Sequence, residues 1–323
     1  LAIAGVGAGD EVIVPCFTFV ASFEAVMMLG AIPVLVDIDD TLTLSPEAVK
    51  KAITPKTKAI MPVHMCGSMA DLNPLKTICE ENNLILLEDA CQAIGGTYNG
   101  KQLGTIGDLG CFSFDFVKTI TCGEGGAVVT NSRSYAENAD KYQDHGHDHV
   151  GNDRGAETHP FLGYNYRISE LHAAVGLGQL EKFEDVLKKQ KQYYTILREE
   201  LRSIPEVTFR RVPQDGKESH AFLNFFLPDE DTTRKAHKAI SNAGVDACFY
   251  WFDNNWHYYK KWEHLTEQKS LGRLPSDVRA NLQDFKTTDF SASDAWMSRT
   301  ISSLIKVGWT EDEMKHRAQQ LKQ

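Results

Sequence analysis

Short apolar runs alternate with amphipathic segments through the first half of the chain. Runs typical of buried strands cover residues 11–15, 32–38, 59–63 and 84–87. Segments with helical spacing lie between them, at residues 18–29, from Ser45 onwards and at 74–82. A strand, helix, strand rhythm implies right-handed crossovers. We therefore expect an α/β structure in three layers, with a mostly parallel sheet covered by helices on both faces.

The pattern changes in the second half of the chain. A long helix is predicted for residues 169–202, with small side chains near its start that permit close helix packing. Beyond residue 205 the pattern predicts strands at 220–227 and 301–307 and helices at 232–243 and from 311. We therefore expect a large domain over residues 1–204 and a smaller C-terminal α+β domain over residues 205–323.

Composition excludes several classes of partner. The 323 residues are 42% hydrophobic and 24% charged, which is ordinary for a globular protein. The net charge of -10 argues against binding to nucleic acid or to an anionic membrane, because both need a basic face. The most apolar stretch, residues 12–36, contains Pro15, Glu24 and Pro33 and does not predict a membrane span.

The cysteines indicate the cellular compartment, and the first residues indicate where the chain begins within its fold. Seven cysteines without a CxxC pair predict free thiols and a cytoplasmic protein. Residues 1–7 are typical of the last turn of a helix followed by a glycine stop, so we expect the chain to begin inside a domain.

Candidate chemistry lies where two predicted strands end. Lys118 follows a predicted strand at 111–116 and precedes a Gly-rich turn and a strand at 127–130, and Asp89 follows the strand at 84–87. Ligands of α/β sheets bind at the carboxyl ends of the strands. A lysine at a strand end usually points to solvent, but one that is desolvated beside a carboxylate is a candidate Schiff-base nucleophile. The aspartate is then suited to holding a pyridinium nitrogen protonated.

With these residues the chain resembles the pyridoxal-phosphate-dependent sugar aminotransferases of fold type I, the DegT/DnrJ/EryC1/StrS family. The resemblance covers nearly the whole chain. It depends on a set of motifs in a fixed order: GDEVIVP at 9–15, TF at 18–19, GAIPV at 30–34, EDACQ at 88–92, FSF at 112–114 with Lys118, GEGG at 123–126 and GYNYR at 163–167.

The resemblance implies pyridoxal 5'-phosphate as cofactor and a role for each matching residue. Lys118 would form the Schiff base and carry the proton, and Asp89 would pair with the pyridinium. The remaining cofactor contacts would come from Phe19 on one ring face, Gln92 at the phenolic oxygen, Ser113 at the phosphate, Asn165 at the phosphate of the neighbouring subunit, and Cys91, which stands where the family usually has alanine.

The resemblance also implies the reaction and the assembly. An amino group would pass from glutamate to a keto- or aldehydo-sugar, commonly nucleotide-linked, for polysaccharide or lipopolysaccharide biosynthesis. The active sites would be shared within a homodimer. The residues around Lys118 and the loop at 145–149 also resemble the subgroup that aminates C8 of a 3,8-dideoxy-octulosonate.

Three other functions fit the same pattern less well. Sugar dehydratases of this family carry histidine in place of the lysine, whereas position 118 is lysine. A binding or regulatory homologue without catalysis would not need both Asp89 and Lys118. A nicotinamide oxidoreductase would need a GxGxxG turn after a strand, and residue 10 is aspartate.

Two segments allow a structural and a functional interpretation. His145, His147 and His149 alternate in a way that could bind a metal, but no cluster of Cys or carboxylates is evident near them. We favour a polar loop at a subunit interface there, and expect no metal site. The aromatic stretch at 248–259 suits either a sugar-binding surface or a packed loop. For His64, at the end of a strand, we favour a structural role.

Overall fold

A central sheet of six strands dominates the computed structural model, which describes residues 1–322. Its first strands are β1 (Glu11–Pro15), β2 (Ile32–Val36), β3 (Thr57–Ile60) and β4 (Ile85–Asp89). After a small hairpin of β5 (Thr97–Tyr98) and β6 (Lys101–Gln102), the sheet continues with β7 (Leu109–Ser113) and β8 (Gly126–Val129). The strand order is β2-β1-β3-β4-β7-β8, and all neighbours are parallel except β7 and β8.

Side chains of this sheet enter two separate hydrophobic cores. Val12 and Val14 pack into one cluster, whereas Ile13 between them packs into another. Because successive side chains of a strand point to opposite faces, both faces of the sheet are buried. The predicted three-layer α/β architecture is therefore confirmed.

Helices that connect the strands cover these faces. They are α1 (Ala21–Met27), α2 (Pro46–Ala52), α3 (Leu72–Asn82) and α4 (Arg133–Gln143). Helix α2 begins as its sequence predicts, because Ser45 accepts a hydrogen bond from the Ala48 N–H and Pro46 takes the first helical position.

The remaining elements include a second, antiparallel sheet. In chain order they are α5 (Glu170–Leu180), α6 (Phe183–Leu201), β9 (Thr208–Phe209), β10 (Gly216–Lys217), β11 (Phe222–Phe226), α7 (Glu230–Asn242), β12 (Cys248–Phe249), α8 (Glu263–Thr266), α9 (Ser276–Asn281), α10 (Ser291–Met297), β13 (Thr300–Leu304) and α11 (Glu311–Lys322). The antiparallel sheet has the order β12-β13-β11-β9, while β10 pairs with β5.

Two predicted elements differ from the structure. The long helix expected over 169–202 is two helices, α5 and α6, because Lys182 leaves helical geometry with φ -98° and ψ 0°. No proline or glycine marks this break at residues 181–182, so the periodicity alone does not reveal it. The strand expected over 111–116 ends at Ser113, and the residues before Lys118 form a loop.

The two sheets are connected by shared packing. Tyr193 and Leu197 of α6 are buried against Leu223 and Ile301 of the C-terminal sheet. Trp251, Tyr258 and Trp262 instead join the core of the central sheet. The domain boundary at residue 204 stays a prediction. Within residues 1–322, no helix has the length and apolar character needed to cross a membrane.

Candidate active site at the edge of the central sheet

Asp89 lies at the carboxyl end of β4 with both carboxylate oxygens engaged. The Ser22 hydroxyl donates to Oδ2 at 2.9 Å, and the Cys91 N–H donates to Oδ1 at 3.2 Å. Ser22 is itself 2.7 Å from the Thr18 hydroxyl. The carboxylate is half-buried and oriented by donors from two segments of the chain.

Glu88 and His64 form a buried network beside Asp89. His64 Nδ1 accepts the Ala70 N–H at 3.3 Å, so Nε2 carries the proton and donates to Glu88 Oε2 at 2.9 Å. The same carboxylate accepts three backbone N–H groups, from Gly104, Ile106 and Gly107. Burial acts to raise the pKa of Glu88, but the bonds from His64 and the backbone outweigh it and the pKa is lowered. These contacts support the structural role of His64.

Lys118 and Phe19 come together across the edge of the sheet. Lys118 lies in the loop after β7, where its N–H donates to the Asp115 carbonyl at 3.0 Å. Its Nζ lies 5.9 Å from the centroid of the Phe19 ring. The described residues place no carboxylate within ion-pair distance of this ammonium. The Lys118 side chain therefore ends beside an aromatic face, outside any ion pair.

The aromatic segment of the C-terminal unit forms the other wall of this site. Trp256 stacks on Phe19 with 5.6 Å between ring centroids and 7° between planes, and His257 is 5.4 Å from the same ring. The backbones pair as well, because Thr18 and Val20 donate to the His257 and Trp256 carbonyls at 3.0 Å. The segment is thus both packed and part of the site.

His257 is neutral at neutral pH. Burial, followed by the positive charge of Lys118, lowers its pKa to about 4. Its Nδ1 donates to Asn254 Oδ1 at 2.9 Å. A neutral imidazole therefore adds no second positive charge beside Lys118.

The other predicted residues occupy three places. Gln92 Oε1 accepts the Cys66 N–H at 3.0 Å, and Ser113 Oγ accepts the Asp115 N–H at 3.3 Å. Cys91 lies beside Asp89, with its sulfur 3.8 Å from the Cys111 carbonyl. Asn165 is exposed and belongs to a separate ladder, in which it pairs with Asp144.

This donor set fits pyridoxal phosphate. A pyridine nitrogen needs an oriented carboxylate, an aldehyde needs an amine that is not held in an ion pair, and a phosphate needs hydroxyl and N–H donors. Asp89 offers the carboxylate at the end of β4, and Ser113 offers the hydroxyl at the end of β7. Lys118 offers the amine in the loop after β7. The two strands are neighbours, with Asp89 opposite Cys111.

Three residues of the site are not predicted by the sequence. Ser22 lies one turn after Phe19 in a predicted helix, and nothing in the pattern shows that it reaches Asp89. Trp256 and His257 stand out only as part of an aromatic stretch. Their contact with Phe19 joins residues more than 230 positions apart, which local periodicity does not reveal.

Comparison of the sequence with known proteins identifies one family and several relatives. The model of the DegT/DnrJ/EryC1/StrS aminotransferase family matches residues 1–322. A GDP-perosamine synthase of Vibrio cholerae is 43% identical over 202 residues, which cover 62% of this chain and 54% of that protein. A GDP-perosamine synthase of Caulobacter vibrioides is 42% identical over 189 residues, covering 58% and 50%. The chain thus spans about half the length of the curated relatives it matches.

Solved structures share the fold. An aminotransferase from Psychrobacter cryohalolentis superimposes with a TM-score of 0.85 at 26% identity, covering 99% of this chain and 82% of that one. A 3-amino-5-hydroxybenzoic acid synthase superimposes with a TM-score of 0.79 at 30% identity, covering 100% and 82%.

Proposed function

The chain belongs to the DegT/DnrJ/EryC1/StrS aminotransferase family, and on this premise we propose that it is a pyridoxal-phosphate-dependent transaminase acting on a keto- or aldehydo-sugar. Two observations carry the proposal: an oriented carboxylate, Asp89, at the end of β4, and an amine outside any ion pair, Lys118, in the loop after β7. A dehydratase is disfavoured because residue 118 is lysine.

The cofactor, when bound, supplies a carbonyl that captures amines and a ring that withdraws electrons from the captured substrate. Asp89, held by Ser22 and the Cys91 N–H, would keep a proton on the ring nitrogen, because a nearby opposite charge favours the charged form. Ser113, Gln92 and Asn165 would bind the cofactor's polar groups, with Asn165 reaching the site of the partner subunit. Cys91 would border the ring.

Lys118 moves the proton that the reaction requires. Its Nζ amine would accept a proton from the α-carbon of the amino donor and later donate that proton back as a general acid. The amine must be neutral to act in this way. Phe19, which stacks on Trp256, would cover one face of the cofactor ring and exclude water from that face.

The substrates are inferred from the family and its relatives. Two relatives are named GDP-perosamine synthase, which favours a nucleotide-linked sugar as the amino acceptor. Glutamate is the proposed amino donor. The 3,8-dideoxy-octulosonate acceptor depends on motif resemblance alone, and a parallel assay with a GDP-linked keto-sugar and an 8-oxo octulosonate separates the two classes.

Spectroscopy tests the cofactor role without any sugar. The purified protein should acquire a visible absorption band when pyridoxal phosphate is added, and glutamate should bleach that band. Lys118→Ala should lose the band, whereas Lys101→Ala, at an exposed lysine of the β5–β6 hairpin, should keep it. A band of equal strength in Lys118→Ala would exclude the proposed role of that amine.

A further inference from the structure

Ligand-type side chains converge beside the end of α4. Asp144 follows this helix, and His147 and His149 lie in the loop after it. One potential ligand atom from each of the three lies within 4.8 Å of the others. The side chains of Asp144 and His147 are only 8% and 13% exposed. The cluster is therefore compact and largely withdrawn from solvent.

The separations between these atoms suit one small cation. Zinc bonds of about 2.0–2.1 Å in a tetrahedron place the ligand atoms about 3.3–3.4 Å apart. His149 Nε2 lies 3.2 Å from Asp144 Oδ2, and His147 Nδ1 lies 3.8 Å from the same oxygen. Glu157 Oε2 lies 3.5 Å from His147 Nδ1. Small side-chain movements would bring these atoms around a common centre.

Both imidazoles are held in orientations that suit a metal. Arg154 Nη2 lies 3.0 Å from His147 Nδ1, and because arginine only donates, this nitrogen presents its lone pair. His149 Nδ1 contacts Asp140 Oδ2 at 2.7 Å, which turns Nε2 towards Asp144. A carboxylate on the second nitrogen is the usual support of a metal-bound histidine.

A buried carboxylate and an exposed guanidinium point to a cation at this position. Glu157 Oε2 has no hydrogen-bond partner among residues 1–322, although its side chain is only 6% exposed. A buried carboxylate oxygen that accepts no hydrogen bond is costly. Arg154, 64% exposed, places Nη2 at 3.0 Å from both Asp144 Oδ2 and His147 Nδ1. Its guanidinium occupies the place where a metal ion would lie.

We propose that Asp144, His147, His149 and Glu157 form a zinc site, from which the exposed side chain of Arg154 is displaced when the metal binds. Two imidazoles and two carboxylates are ligands that zinc accepts. Four protein ligands leave no open position, so the site is structural. The metal would connect the end of α4 to residue 157, and through the Asp144–Asn165 pairing to the GYNYR motif.

The sequence predicts a polar loop without a metal site, because no cluster of Cys or carboxylates is evident near the three histidines. The structure places two carboxylates beside them. Asp144 precedes the histidines directly, and Glu157 lies ten residues beyond His147. Only folding of the loop brings Glu157 back to His147. Arg167 also pairs with Asp144 through the other oxygen, Oδ1, so Oδ2 keeps its direction towards the histidines.

Metal content measures the site directly. The protein, loaded with pyridoxal phosphate and freed of any affinity tag, is equilibrated with Zn²⁺ and gel-filtered, and zinc is counted by mass spectrometry. We expect one zinc per chain, and with Co²⁺ instead the visible spectrum of a tetrahedral N/O site. A wild-type chain that retains no stoichiometric zinc would overturn the proposal.

Variants distinguish a zinc site from an ordinary salt-bridge cluster. His147→Ala should abolish stoichiometric zinc, and Asp140→Asn should weaken binding about 10- to 100-fold through the second nitrogen of His149. His316→Ala, at an exposed histidine of α11, should leave zinc binding unchanged. Arg154→Ala should tighten zinc binding, because a competing cation is removed. Equal zinc retention by wild type and His147→Ala, or a loss of zinc in Arg154→Ala, would contradict the proposed ligand set.

Discussion

At the scale of single residues, the oriented carboxylate and the proposed reactive amine belong to different side chains. Ser22 and the Cys91 N–H fix the direction of the Asp89 carboxylate. Lys118, by contrast, ends a flexible side chain beside the Phe19 ring. This division suits a site in which the acid holds one proton still while the amine carries another.

Replacing Asp89 tests the first of these roles. Asp89→Asn keeps the size, and its amide oxygen can accept one of the two hydrogen bonds, but it removes the charge proposed to hold the ring nitrogen protonated. A charge of this kind is worth about 1 to 3 pKa units, so the rate constant of transamination should fall about 10- to 1,000-fold. Stopped-flow absorbance with glutamate measures it.

Ser22→Ala is the companion variant for Asp89→Asn. It removes one orienting donor and leaves the charge, so its effect should be smaller. Full turnover of Asp89→Asn, with cofactor bound, would refute the role of the carboxylate as the partner of the ring nitrogen.

The neutral state of His257 predicts a pH dependence of stability. Its pKa is about 4 in the folded protein and about 6.5 in the unfolded chain, so the unfolded chain binds more protons in between. The free energy of unfolding should therefore fall as pH drops from about 6.5 towards 4, by on the order of 1 to 3 kcal/mol from this residue. Urea denaturation across this range measures the slope.

His257→Asn should flatten that slope, whatever its stability at pH 7. His316→Asn, at an exposed histidine, should keep the slope of the wild type. An unchanged slope in His257→Asn would mean that the imidazole titrates normally.

At the scale of secondary-structure elements, the network around Glu88 joins β4 to the turn that precedes β7. One carboxylate accepts the N–H groups of Gly104, Ile106 and Gly107 and the proton on His64. Because β4 and β7 carry Asp89 and Ser113 at their ends, this network holds together the two strands that bear these proposed cofactor contacts.

Removing this carboxylate should be severely destabilising. Glu88→Ala leaves four buried donors without an acceptor, and breaking a buried charged network costs about 3 to 5 kcal/mol. Glu80→Ala on the exposed face of α3 is the matched control and should change the free energy of unfolding by less than about 0.5 kcal/mol. Chemical denaturation of the two variants compares them, and similar midpoints would show that the network is unimportant for stability.

At the scale of the whole molecule, α5 predicts a partner. Its sequence is apolar, yet none of its residues is buried, and Leu171 and Leu177 are 81% and 65% exposed. Exposed apolar surface of this extent marks an interface. A second copy of the chain, as the shared-site proposal requires, is the partner that we expect to cover it.

Sedimentation velocity tests the homodimer. Leu171→Asp should shift the protein from dimer to monomer, because a carboxylate would be buried without a partner. Leu271→Asp, at a fully exposed leucine outside α5, should remain dimeric. A dimeric Leu171→Asp would place the interface elsewhere.

Sharing of the active site has its own test. Lys118→Ala and Asn165→Ala should each be inactive alone. Coexpressed, they should recover about a quarter of the wild-type activity, because half of the dimers are mixed and each mixed dimer contains one intact site. No recovery in mixed dimers would mean that Asn165 does not act across the interface.

The layered fold and the family could be predicted from the sequence. Periodicity is a local property, so strands such as β1 and helices such as α2 are visible in it. Parallel strands end at the same edge of a sheet, which is why the sequence predicts Asp89 and Lys118 at one edge.

Only the tertiary structure decided what surrounds those residues. Ser22 at Asp89, Trp256 and His257 at Phe19, and Glu157 at His147 are contacts between segments whose separation in the chain leaves no periodic trace. The break between α5 and α6 is likewise set without a proline or glycine. Side-chain identity specifies which chemistry is possible, whereas burial and contact specify which groups are oriented, neutral or charged, and those depend on packing across the whole chain.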